Sequence, residues 1–174
     1  MAKLQGKKVL MFVENFYEDL ELWYPRFRLM EAGADVTLAG PDKDTVYKGK
    51  HGYPCKPDMA IDEIDPGNFD ILVLCGGYAP DKLRRIPKVL DVTRSMFESE
   101  KPVAMICHAG WVPISAGIVQ GRTCTSVSAI RDDLVNAGGE WVDQEVVVDK
   151  NLISSRTPDD LPAFCRAIID QAAG

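Results

Sequence analysis

Short apolar runs alternate with helix-patterned segments along the whole chain, and few folds accommodate that alternation. "KKVLMFV" (7–13), "ADVTLAG" (34–40), "FDILVLCGG" (69–77) and "KPVAMIC" (101–107) are nearly continuous apolar runs of strand length. Runs of this kind suit strands buried on both faces. Between the first two lies "EDLELWYPRFRLMEAG" (18–33), and Phe16, Leu20, Trp23, Phe27 and Met30 recur at steps of four and three. That period predicts a helix with one apolar face turned to the core. Gly33 predicts its end, and Pro25 predicts a kink or break inside it.

The pattern continues towards the C-terminus. A helix is predicted from about residue 87 to 100, another over "AGWVPISAGIV" (109–119), a third over "AIRDDLVNAGG" (129–139) and a last over "PDDLPAFCRAIIDQAA" (158–173). "CTS" (124–126) predicts a short strand, and "WVDQEVVVDKNLISS" (141–155) predicts strands with a turn at 149–151. Residues 41–68 are irregular, Gly- and Pro-rich, with room for a short hairpin. No repeat, linker or low-complexity segment interrupts the series, so we expect one domain over 1–174. Strands alternating with helices imply an open, mostly parallel sheet covered on both faces. Sites in such sheets form at the carboxyl ends of strands. Two ends stand out here: Cys75-Gly76-Gly77 and Cys107-His108.

Charge and cysteine usage exclude several functions. The net charge is -6, a sign that repels phosphate backbones, and no basic run with interleaved aromatics occurs, so no nucleic-acid partner is expected. No apolar run reaches the length of a membrane span. The five cysteines are scattered, odd in number and without a CxxC, which implies free thiols and neither a disulfide framework nor a structural zinc site. With no secretory signal, a reducing cytoplasm is the expected compartment. The acidic "VENFYED" after the first strand holds no GxGxxG, which speaks against a dinucleotide or flavin site.

Cys107 ends a strand where a helix begins. On a sharp strand-to-helix turn a nucleophile is exposed, and the amides that follow point at it. Those amides favour a thiolate, so the Cys107 thiol is expected to ionise below the free value of about 8.5. The string I-C-H-A-G does not meet the G-x-S-x-G of serine hydrolases. Read from the residues alone, a buried cysteine beside a solvent-facing histidine fits equally well. Glu18 and Glu21 fit acids at a helix start, Gly76 and Gly77 a turn, Asp81 a helix cap and His51 a surface turn.

The ordered set "VENFYEDLELWYPRFRLMEAGADV", "KHGY", "FDILVLCGGYAPDKLR", "KPVAMICHAG", "SAGIVQGR", "DDLVNAGGEWVDQEVVVDKNLISSR" and "PDDLPAF" resembles the PfpI family of intracellular cysteine peptidases, within the ThiJ/PfpI superfamily. The resemblance covers nearly the whole chain. It implies a flavodoxin-like α/β fold, a three-layer sandwich with a mostly parallel sheet and a cysteine nucleophile elbow. It implies Cys107 as nucleophile and His108 as its partner, with Glu21 against the sulfur and Glu18 as a second acid. The amides of Gly77 and His108, beside Gly76, are the implied oxyanion hole. Asp81 stands where the peptidase branch carries a glutamate acting on the histidine from a neighbouring subunit, which implies a homo-oligomer, a dimer or a hexamer. The chain departs from the family pattern at Cys75, where a proline is usual, and at Val127, where some members carry a tyrosine.

The function so implied is a cysteine-nucleophile enzyme without metal or organic cofactor. Its substrate is either a peptide or a reactive aldehyde and its protein adducts. The alternative is a non-catalytic redox-sensing or holdase-type stress protein using the same thiol. A glutamine amidotransferase needs a histidine well downstream of its nucleophile, and none follows His108.

Overall fold

The computed structural model describes residues 2–174. β1 (Lys8–Phe12), α1 (Asp19–Glu31) and β2 (Asp35–Gly40) form the first βαβ unit. β3 (Tyr47–Lys48) and β4 (Pro54–Cys55) pair as a small antiparallel hairpin within the irregular stretch, and β5 (Met59–Ala60) extends the sheet beside β2. β6 (Ile71–Leu74), α2 (Ala79–Leu83), α3 (Pro87–Glu98) and β7 (Val103–Ile106) follow. After a 3-10 turn at Cys107–Gly110 come α4 (Trp111–Ala116), β8 (Thr123–Cys124), α5 (Arg131–Asn136) and β9 (Glu140–Trp141). The hairpin β10 (Val146–Asp149) and β11 (Leu152–Ser155), then α6 (Leu161–Ala173), complete the chain.

The main sheet has seven strands in the order β10-β11-β7-β6-β1-β2-β5. All its pairings are parallel except β10 against β11. Every residue of β6 and β7, and Val9–Phe12 of β1, is at most 2% exposed. These strands are therefore covered on both faces, as their unbroken apolar runs require. From β1 the chain steps outward to β2, then returns past β1 to β6 and continues to β7 and β11. Right-handed crossovers taken in opposite directions put their helices on opposite faces. α1 packs beside α6, and α3 beside α4. The three-layer, flavodoxin-like sandwich implied by the sequence is thus the observed architecture.

The reversal of direction lies between β1 and β6, where such sheets open a crevice at the carboxyl ends. Register brings the two conspicuous strand ends level: Leu74 pairs with Met105. Cys75-Gly76-Gly77 and Cys107-His108 therefore leave the sheet side by side.

Several expectations need correction. The apolar set read from the sequence is mostly turned outward: Phe16, just before α1, and Leu20, Phe27 and Met30 on it are 48 to 58% exposed, while Trp23 packs partly against the core. The inward face is Glu21, Leu22, Pro25 and Leu29. Helical period identifies a face but not its direction, and this helix points a carboxylate inward. α1 also runs through Pro25 without a break. The helix expected over 109–119 is shorter, because residues 107–110 form a 3-10 turn and Gly117 closes α4 in the left-handed region. The five-residue α2 was not anticipated.

Candidate active site

Cys107 opens the 3-10 turn with φ 61, a left-handed backbone that a non-glycine residue adopts only when its surroundings enforce it. Ile106 before it is extended, so the chain turns sharply as it leaves β7. This is the elbow anticipated from the sequence. The Cys107 Sγ lies 3.3 Å from Nδ1 of His108. Successive side chains point apart on a strand, and the turn is what brings these two together. His108 is half-buried, and its ring rests against that of Trp111, with centroids 5.1 Å apart.

Glu21 reaches this pair from the inward face of α1 and is fully buried. Its Oε2 accepts from the Gly76 amide at 2.7 Å, while Oε1 is buried with no hydrogen-bond partner. A side chain at Gly76 would collide with Glu21, since a Cβ there would lie 2.5 Å from Oε2 and 2.9 Å from the Cys107 Cβ. Gly77, at φ 76, has a tighter constraint: its Cβ would strike the backbone of Phe16 and Glu18. The backbone at 16–18 is laced to this loop, with the Glu18 amide donating to the Gly76 carbonyl and the Tyr78 amide to that of Phe16.

Burial pushes the Glu21 carboxyl up to about 8, and the Glu18 charge adds to the rise, while the Gly76 amide opposes it. Burial, and an ionised Glu21 beside it, push the Cys107 thiol up to about 12. The amides of His108 and Gly77 pull it back. The expected low thiol value is therefore not met: burial alone opposes it, and the Glu21 charge adds to the rise. The two groups compete for one negative charge, and a proton on Glu21 removes the repulsion from the thiolate. Burial, and then Lys50, lower His108, so its ring is neutral at neutral pH.

The implied oxyanion hole divides. The amides of Gly77 and His108 act on the sulfur, but the Gly76 amide is committed to Glu21 and is not free for an oxyanion. Glu18 is buried at the start of α1, where it accepts from the Leu20 amide and pairs with Lys50. Asp81 lies on the exposed side of α2 and pairs with Arg85 at 3.4 Å. Within one chain it is not brought to His108.

Lys50 is the residue that sequence reasoning missed. It sits in the same turn as His51, which drew attention instead. The turn is clamped to α1 by Asp19, whose carboxylate accepts from the amides of His51 and Tyr53 at 3.0 Å each. Ligand atoms of Glu18, Asp19 and His51 lie within 4.8 Å of one another. These carboxylates are already matched by Lys50 and the two amides, so the group fits a structural clamp better than a metal site.

The DJ-1/PfpI family matches residues 7–171. The deglycase PfpI of Pyrococcus furiosus is 49% identical over 162 residues, which cover 93% of this chain and 97% of that protein. Protein/nucleic acid deglycase 2 of Escherichia coli is 43% identical, over 92% of this chain and 95% of that protein. Among solved structures, Drosophila melanogaster DJ-1beta superposes with a TM-score of 0.91 at 30% identity, covering 98% of this chain and 92% of that one. No helix among the described residues is long and apolar enough to cross a membrane.

Proposed function

This chain belongs to the DJ-1/PfpI family, and from that premise we propose that it is a cysteine-nucleophile enzyme of the deglycase type. Its substrates would be reactive aldehydes such as methylglyoxal and their early adducts on proteins. The observation that carries this reading is the buried, readily protonated Glu21 beside Cys107, with His108 Nδ1 on the same sulfur.

Neutral His108 takes the thiol proton, and the sulfur lone pair forms a bond to the carbonyl carbon. The carbonyl π pair moves to oxygen, where the amides of Gly77 and His108 meet it. The imidazolium returns its proton to that oxygen, giving a hemithioacetal. Glu21, keeping its own proton, leaves the thiolate next to a neutral group. For methylglyoxal, the C1 proton then moves to C2 and the C1 hydroxyl proton to the C2 oxygen, so that C1 becomes the carbonyl of a thioester and C2 carries the hydroxyl. Water then releases lactate and the free thiol. The sum is 2-oxoaldehyde plus water to 2-hydroxy acid: C1 is oxidised as C2 is reduced, with no external oxidant or reductant.

Peptide cleavage asks more of the site, because an expelled amine needs a proton and an oriented imidazole. The acid expected for that role is paired with Arg85 in the single chain. We propose that copies of the chain associate and that Asp81 of a neighbouring copy reaches His108. A redox-sensing role would use the same thiol but leave His108, placed on the Cys107 sulfur, without a task.

The test is to assay wild type and Cys107→Ala under reducing conditions with methylglyoxal and with a fluorogenic peptide. We expect aldehyde turnover to fall at least about a thousandfold in the variant, with no peptide cleavage by either form. Cysteine-dependent peptide cleavage without aldehyde turnover would replace this reading with the peptidase one.

A further inference from the structure

We propose that Trp111 is a positioning residue for the site, and that it holds the His108 ring against Cys107 from within the same chain. The inference rests on the reading of His108 as the proton carrier. In a 3-10 turn, side chains three apart nearly eclipse one another. His108 lies in such a turn, and Trp111 is three residues further on. Their rings meet at 5.1 Å with an interplanar angle of 55°. His108 is thus confined between the Cys107 sulfur at 3.3 Å and the indole.

The indole is itself held. Its Nε1 donates to Oδ2 of Asp133 on α5 at 2.9 Å. The Arg84 guanidinium lies over the ring at 5.7 Å, and Arg84 Nε donates to Ser115 Oγ on α4 at 2.9 Å. The end of α2 and α5 therefore both hold the side chain against which the histidine rests. The arrangement supplies the orientation that a carboxylate supplies in a three-residue relay. An Asp81 from a neighbouring copy would then add charge to a ring already in place.

The test reads Cys107 directly, without a substrate. Rates of alkylation by iodoacetamide are measured across pH for wild type, Trp111→Leu, His108→Ala and the double variant, with circular dichroism as the check on folding. We expect Trp111→Leu to slow alkylation at neutral pH by about tenfold, the factor that corresponds to 1.4 kcal/mol. In the His108→Ala background the same change should have no further effect, because Trp111 acts through that ring. Trp111→Phe, which keeps a ring, should recover part of the rate. Asp133→Leu removes only the surface anchor and should slow alkylation less than Trp111→Leu, which keeps the test open if that variant does not fold. Equal slowing by Trp111→Leu with and without His108 would overturn the inference, as would no slowing in either tryptophan or aspartate variant. No effect of His108→Ala alone would instead remove the reading of His108 on which the inference stands.

Discussion

At the scale of residues, the site is a contest between Glu21 and Cys107 for one negative charge. A carboxyl that holds its proton more tightly in the folded state than in the unfolded chain loses stability as pH rises between the two values. For Glu21 that window runs from 4.5 to about 8, and stability is fully present only below it. Each pH unit within it costs up to about 1.4 kcal/mol. Glu21→Gln keeps the acceptor for the Gly76 amide and carries no charge. We predict that this variant is more stable than wild type at pH 8, by about 2 to 4 kcal/mol in denaturant titration. It should also shift the Cys107 alkylation midpoint to lower pH, because the repelling charge is gone. His108 titrates in the opposite sense. Its value is lowered, so the neutral ring persists below its ordinary range, and the acid limb of turnover should lie below about pH 6.5. Cys107, His108 and Glu21 were legible in the sequence through motif resemblance, and the structure brings the three together. Lys50 and the commitment of the Gly76 amide were not, because both depend on how a distant loop folds over the helix start.

At the scale of elements, the loop after β6 and the segment before α1 form one unit. Tyr17 and Gly77 make an isolated antiparallel bridge, and no side chain fits at Gly77. We predict that Gly77→Ala destabilises the fold by at least about 2 kcal/mol, the left-handed strain plus a backbone collision. Chemical denaturation gives the loss, and turnover should fall with it, because the 16–18 segment carries Glu18 and leads into the helix of Glu21. The strands were legible because runs such as "ILVL" and "VAMI" have no polar position and no room for a helix. The direction of α1 was not. Its apolar residues and its inward residues both recur at helical spacing, and nothing local says that Glu21 and Pro25 belong to the core side. The reason lies elsewhere in the chain, in the Gly76 amide that receives the carboxylate.

At the scale of the whole molecule, α1 presents Leu20, Phe27 and Met30 to solvent in a row, with Tyr53 also 58% exposed nearby. Apolar side chains grouped in this way mark contact surfaces more often than free ones. The homo-oligomer we propose would cover them with a second copy. We predict at least a dimer in sedimentation velocity, and dissociation towards monomer in the double variant Leu20→Glu, Phe27→Glu. A wild-type monomer with full turnover would refute the association and any role for Asp81 in trans. The account as a whole stands on covalent chemistry at one sulfur. The most direct test is intact-protein mass spectrometry after mixing the protein with methylglyoxal, with lactate followed in parallel. The prediction is a transient adduct of one methylglyoxal on Cys107 that decays as lactate appears, and that is absent in Cys107→Ala. Adducts confined to lysine and arginine, equal in wild type and variant and unaccompanied by lactate, would contradict it.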